Sequence, residues 1–179
     1  MWQVHLSQRN IGIKSMSQIP PLSFEFFPPR TEEGSQNLLQ TVEKLNKFNP
    51  EFFSVTFGAG GSTKEKTIET VLDIKGTGAE AVPHVSCISS TKEEIKGLLN
   101  DYQSKDIKRI VALRGDNPSG VVSYGDFKYA NELVEFIRKE TGDFFQIEVA
   151  AYPEFHPESL SVKNDIESLQ KKINSGANG

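Results

Sequence analysis

Cysteine is nearly absent from this 179-residue chain, where Cys87 stands alone. A single thiol can neither close an intramolecular disulfide nor supply a thiolate-rich zinc or iron–sulfur site, and it suits a reducing compartment, so the cytoplasm is the expected location. A basic excess is missing too. With 20 basic and 24 acidic side chains the formal charge is −4, which leaves no broad cationic face for a phosphate backbone and sets nucleic-acid binding aside. Long hydrophobic runs are also wanting. No stretch approaches the roughly 18 apolar residues that span a bilayer, and the first residues lack the compact apolar segment of a secretory signal, so no membrane partner is expected.

Acidic residues are missing from one region, Met1 to Ser23, which instead holds Arg9, Lys14 and several Ser and Gln. Organellar presequences share that composition, but one Arg is too few for the pattern. We read residues 1–21 as a frayed leader, with Met16 as an alternative start and Ile19-Pro20-Pro21 leading into the first strand.

What is present is a repeat. Apolar runs of strand length begin at Leu22, Phe52, Ala81, Lys108 and Phe145. Each is followed by a polar or Gly-containing loop and an amphipathic stretch, at the roughly 30-residue spacing of βα units. Ser62-Thr63-Lys64-Glu65 and Thr91-Lys92-Glu93-Glu94 have the form of capping boxes. Leu38, Val42 and Leu45 form one helical stripe, Ile95, Leu98 and Tyr102 a second, and Val162, Ile166, Leu169 and Ile173 a third, each expected to pack on a sheet. The strands read as apolar on both sides.

Five such units fit an open doubly wound sheet or a (β/α)8 TIM barrel. No Gly-rich turn follows the first strand, and polar groups end every strand, which favours the barrel. A barrel needs about 250 residues and eight units. The expectation is therefore an α/β chain truncated to about five βα units, residues 22–179, with Gly176 as a helix C-cap where a sixth strand should begin.

The strand ends carry the chemistry. Glu25 lies among Phe24, Phe26 and Phe27, where desolvation would raise its pKa and suit it to act as a general acid; alternatively it simply faces solvent. Phe57-Gly58-Ala59-Gly60-Gly61-Ser62 joins a strand to a helix start, a seat for a phosphate or a flat ligand, or only a tight turn. Arg114-Gly115-Asp116 marks the fourth strand end, where Gly lets backbone approach a ligand; an Arg–Asp ion pair is the plainer reading. Ala150 to Pro157 sets Tyr152 and His156 on a proline-braced loop able to stack on a planar cofactor, or merely braced. His84 and Cys87, three apart on a strand, face opposite sides, so no metal is expected. Asp165, Lys171 and Lys172 are either a solvated helix face or partners for a diphosphate.

SFEFFPPR (Ser23 to Arg30), VTFGAGGST (Val55 to Thr63), PHVSC (Pro83 to Cys87), ALRGDNP (Ala112 to Pro118) and AAYPEFHPES (Ala150 to Ser159) follow one another in a specific order and spacing. From about Leu22 to its last residue the chain closely resembles the methylenetetrahydrofolate reductase family. That resemblance implies a (β/α)8 barrel with non-covalent FAD, taking hydride from NADH or NADPH and reducing 5,10-methylenetetrahydrofolate to 5-methyltetrahydrofolate in one-carbon metabolism. It implies that Glu25 is the acid that protonates the folate as its five-membered ring opens, and that Asp116 lies near flavin and pterin. Thr56, Phe57, Ala59, His84, Arg114, Gly115, Tyr129, Ala130, Tyr152, His156, Asp165, Lys171 and Lys172 match positions that surround FAD, and Ser159 and Ser168 align as well. The family's later strands supply a Gln and a Phe toward folate and nicotinamide, and those positions lie beyond residue 179.

The expectation is a flavin-dependent oxidoreductase acting on a small folate, with room for a homo-oligomer. Its alternatives are a truncated, inactive barrel piece used for binding or assembly, completed by another chain or by self-association, and a flavin-free barrel that binds a phosphorylated substrate through Gly58 to Ser62.

Overall fold

The computed structural model describes residues 21–57, 64–115, 125–151 and 161–179. Five parallel strands alternate with five helices: β1 (Ser23–Phe26), α1 (Glu32–Asn46), β2 (Phe52–Val55), α2 (Lys64–Gly76), β3 (Ala81–Ser86), α3 (Lys92–Ser104), β4 (Arg109–Leu113), α4 (Ala130–Thr141), β5 (Gln146–Val149) and α5 (Val162–Asn174). Each strand falls inside its expected run. The chain forms two compact units, Met1–His84 and Val85–Gly179, and β3 passes through the division. The expected leader lies outside the described residues, apart from Pro21.

In the first unit β1, β2 and β3 pair in parallel, with Glu25 opposite Ser54 and Ser54 opposite Val82. Strand alternation then sorts the side chains. Phe24 and Phe26 stack on Phe53 at 5.8 and 5.9 Å on one face, while Glu25, Ser54, Thr56 and His84 take the other. Helix α1 begins where Thr31 Oγ1 accepts from the Gly34 amide, and it buries Leu38 and Val42, with Leu45 half-buried. The expected cap of α2 at Ser62 lies outside the described residues.

In the second unit β4 and β5 pair in parallel, Arg109 opposite Gln146 and Val111 opposite Glu148. Ile110, Ala112 and Ile147 are buried on the opposite face. The expected capping box of α3 forms: Thr91 Oγ1 accepts from the Glu94 amide and Glu94 Oε2 accepts from the Thr91 amide, at 3.2 and 2.8 Å. Helix α3 buries Ile95, Leu99 and Tyr102, so Leu99 takes the central place expected of the half-buried Leu98. Gly176 closes α5 at φ +109, and the Asn178 amide and Gly179 carbonyl bond Ile147 and Val149 of β5, as a sixth strand would begin.

Two expectations need correction. The strands are not apolar on both sides: Ser54, Thr56, His84 and Glu148 are buried polar residues on one face of their strands. Glu148 is tolerated there because Arg109 Nε lies 3.3 Å from Oε1 and Gln146 Nε2 donates to the same oxygen at 2.9 Å. Helix α5, in turn, buries none of its stripe. Val162 and Ile166 are exposed while Leu169 and Ile173 are half-buried, because the helix turns a polar arc inward, with Lys172 Nζ donating to the Ala150 carbonyl at 2.7 Å.

Candidate functional site

In the first unit the expected groups gather at the C-terminal ends of the strands. Glu25 Oε2 lies 3.6 Å from His84 Nε2, the imidazole almost fully buried and the carboxylate 37% exposed. Partial burial lifts the Glu25 carboxyl above its ordinary 4.5, the direction a proton donor needs. The expected cause is only half right. Phe24 and Phe26 stack on Phe53 on the opposite face, and Phe27 is largely exposed, so this ring cluster does not wall the carboxyl.

Thr56 follows β2 directly, its amide donating to Phe26 O and its carbonyl accepting from Thr67 Oγ1 at 2.9 Å. Those bonds fix the backbone. Its hydroxyl is buried yet has no hydrogen-bond partner among the described residues, which leaves a donor and acceptor unused. Phe57 is half-buried, with Lys64 Nζ 5.8 Å from its ring centroid.

In the second unit the loop after β4 is held by backbone. Arg114 O accepts from the Ile88 amide at 2.8 Å and from Ser86 Oγ at 3.0 Å, and its guanidinium Nε donates to Gly115 O. Gly115 adopts φ +83, and a Cβ there would come within 2.9 Å of Ile88 Cγ2 and closer still to Ser86 Oγ. Glycine is therefore required by Ser86 and Ile88, a reason distinct from the expected approach to a ligand. Tyr129 is the N-cap of α4 without a side-chain cap bond, and it is exposed; Ala130 is buried.

On α5, seven residues separate Asp165 from Lys172, so both lie on one side of the helix. Burial lowers the Lys172 ammonium below its usual range, and Asp165 opposes the shift by attraction. Lys171 and Ser168 are exposed, the Ser168 hydroxyl donating to Asn164 O. Ala59, Asp116, Tyr152, His156 and Ser159 lie outside the described residues. Cys87 is buried behind the end of β3, where its thiol is pushed up to about 11 by desolvation. Among the described residues no group of three or more His, Cys, Asp or Glu is placed to hold a metal ion.

Sequence reasoning missed two contributors. Thr67 supports the Thr56 backbone from α2, and Asp126 caps α3 from the approach to α4, its Oδ2 accepting from the Lys92 amide at 2.8 Å. Only the Gly125-Asp126 pair, a common turn dipeptide, hinted at the second.

Five parallel strands alternating with five helices define an α/β protein, with the Glu25 carboxyl and the His84 imidazole at the strand ends of the first unit. Comparison makes this specific. The chain belongs to the methylenetetrahydrofolate reductase family, whose model matches residues 13–179. It is 43% identical over 178 residues to the 5,10-methylenetetrahydrofolate reductase of Escherichia coli K12, covering 97% of this chain and 59% of that protein. The enzyme of the same name from Buchnera aphidicola of Acyrthosiphon pisum is 43% identical over 176 residues, covering 98% and 59%. Arabidopsis thaliana methylenetetrahydrofolate reductase (NADH) 1 is 38% identical over 169 residues, covering 87% and 28%. The chain thus spans less than two thirds of the length of these relatives.

Proposed function

We propose that this chain is the flavin- and folate-binding part of a cytoplasmic reductase that converts 5,10-methylenetetrahydrofolate to 5-methyltetrahydrofolate with NADH or NADPH, on a (β/α)8 barrel of which these residues make about five units. The observation that carries the reading is the half-buried Glu25 carboxyl beside His84, its pKa raised, at the end of a parallel strand. The unused Thr56 hydroxyl tests the fit of a bound group from the protein's side: a buried donor without an internal partner is what a ligand atom would satisfy.

FAD, when bound, supplies two-electron chemistry between a nicotinamide and the folate. The rest falls to the chain. Glu25 holds a proton for the folate nitrogen as the five-membered ring opens. By the family resemblance, Thr56, Phe57, Ala59, His84, Arg114, Gly115, Asp116, Tyr129, Ala130, Tyr152, His156, Ser159, Asp165, Ser168, Lys171 and Lys172 hold the flavin, with the cationic groups suited to a diphosphate. Asp116 adds a charge that tunes flavin and pterin.

The test is spectroscopic. Purified chain, alone or titrated with FAD, should show a flavin spectrum that NADH or NADPH bleaches. Glu25→Gln should leave that bleaching largely intact while blocking folate reduction; equal loss of both contradicts the acid role. The exposed Val162 and Ile166 on α5 favour a second reading, a partial barrel serving as an assembly piece, and colourless protein that takes up no FAD would support it.

A further inference from the structure

Within the second unit, the turn between β3 and α3 grips two separate stretches of backbone. On one side it holds the end of β4: the Cys87 amide donates to Leu113 O at 3.1 Å, the Ile88 amide to Arg114 O at 2.8 Å and Ser86 Oγ to Arg114 O at 3.0 Å. On the other it holds the approach to α4. The Asp126 amide donates to Ser90 O at 3.0 Å, and the Asp126 carboxylate accepts from the Lys92 amide at 2.8 Å. Gly125 lies so close to the Ser90 backbone that any Cβ would overlap it. Phe127, fully buried, packs edge-on against Phe136 with centroids 5.4 Å apart, and the Cys87 thiol contacts both Arg114 O and Tyr129 O, at 3.8 and 3.9 Å.

We infer that Asp126 is a positioning residue for flavin binding: by pinning its segment to the N-terminus of α3, it sets Tyr129 and Ala130 in fixed register with Arg114 and Gly115. The inference rests on the proposed flavin function, because those four residues are the ones assigned there to FAD. Three features single out Asp126 over an ordinary helix cap. Helix α3 already has its capping box from Thr91 and Glu94, which answers those two amides, and Asp126 adds a bond to the Lys92 amide from outside the helix. Helix α4 has no side-chain cap from Tyr129, and just before it the Lys128 amide donates to Glu132 at 2.7 Å. The Asp126 bond is also long-range, spanning 34 residues of sequence, so its loss loosens the junction and leaves both helices intact.

The test is an FAD titration of the full chain, read by quenching of flavin fluorescence, for wild type, Asp126→Ala and Asp126→Asn, with amide hydrogen exchange on the same proteins. Loss of a capping carboxylate is a roughly tenfold effect, so Asp126→Ala should weaken FAD binding by about tenfold, while Asp126→Asn, which keeps an acceptor oxygen, restores most of it. Exchange should rise at Asp126 to Ala130 and stay unchanged through α3. Unaltered FAD affinity in Asp126→Ala overturns the inference and leaves the flavin reading standing. Faster exchange throughout α3, with no rescue by Asn, overturns it by making Asp126 a plain helix cap. If wild type takes up no FAD, the flavin reading fails and the inference falls with it.

Discussion

Replacing Gly115 with alanine should be among the most damaging single-methyl changes this chain can undergo, and the structure says why. The residue sits at φ +83, where an L side chain costs about 1 kcal/mol or more through its contact with the following carbonyl. The new Cβ would also overlap Ser86 Oγ and lie 2.9 Å from Ile88 Cγ2, and forcing a methyl into packed space adds about 1–3 kcal/mol. To make room, Ser86 must swing its hydroxyl away from Arg114 O, giving up a bond with a net value of about 1 kcal/mol. The total, about 3–5 kcal/mol, corresponds to a fall of about 10 °C in Tm for a chain of this size. Gly78→Ala separates the terms. Gly78 has a similar φ of +86 with nothing within 4 Å of its would-be Cβ, so it should show the backbone cost of about 1 kcal/mol alone. Adding Ser86→Ala to Gly115→Ala removes the nearest atom but leaves Ile88, and should recover part of the loss. Urea unfolding of wild type and the three variants measures all of this. A Gly115→Ala midpoint within about 0.5 kcal/mol of wild type, or no difference from Gly78→Ala, refutes the steric argument.

Thr56→Val keeps the shape of the side chain and removes a hydroxyl that has no partner among the described residues, so without ligand it should stabilise the chain by up to about 1 kcal/mol in urea, while FAD binding weakens several-fold; stability and affinity moving together would contradict the assignment. With its thiol pushed up to about 11 and buried, Cys87 should react with a thiol reagent at pH 8 at least about a hundredfold more slowly than in denatured chain, and fast native labelling would show that burial wrong. Folding holds the Glu25 proton more tightly than the unfolded chain does, so Glu25 adds stability at acid pH that fades as pH climbs from 4.5 through its raised native value. Relative to Glu25→Gln, wild type should therefore lose stability over that interval, an effect that solvent screening of a partly exposed carboxyl keeps small. Urea midpoints of the two proteins on either side of 4.5 measure it, and a difference that grows with pH would reverse the sign and the argument.

The parts legible in the sequence were those written by local chemistry. Runs such as FFSV and RIVAL became strands because apolar, β-branched and aromatic residues sat between turn signals, and Thr91 with Glu94 declared the start of α3 in two letters. The misses depend on what lies across a gap. Leu98 and Leu99 are equal candidates until packing chooses, and Val162 and Ile166 look like core until the neighbouring arc of α5 is seen reaching Ala150 through Lys172. Gly115 was singled out correctly for its freedom, yet the partner demanding it is Ser86, 29 residues away in sequence. Asp126 shows locally only as part of a Gly-Asp turn, since its bond to the Lys92 amide spans 34 residues of sequence.

The apolar look of the strands misled for a related reason, and it bears on where ligand chemistry belongs. In FFSVTF the polar residues are Ser54 and Thr56, two apart, and His84 and Ser86 repeat that spacing in β3, as Gln146 and Glu148 do in β5. A period of two places each pair on one face of its strand, so a run that counts as hydrophobic still builds one polar face. Buried, such a face is costly unless every group is answered. In β5 the answer is internal, Glu148 lying against Arg109 and accepting from Gln146. Just past the end of β2 the Thr56 hydroxyl has none among the described residues, and Glu25 approaches His84 without closing to hydrogen-bond distance. The same alternating pattern thus serves folding at Glu148 and, among the described residues, leaves the Thr56 hydroxyl unanswered, which is the arrangement expected if that group is held for a ligand.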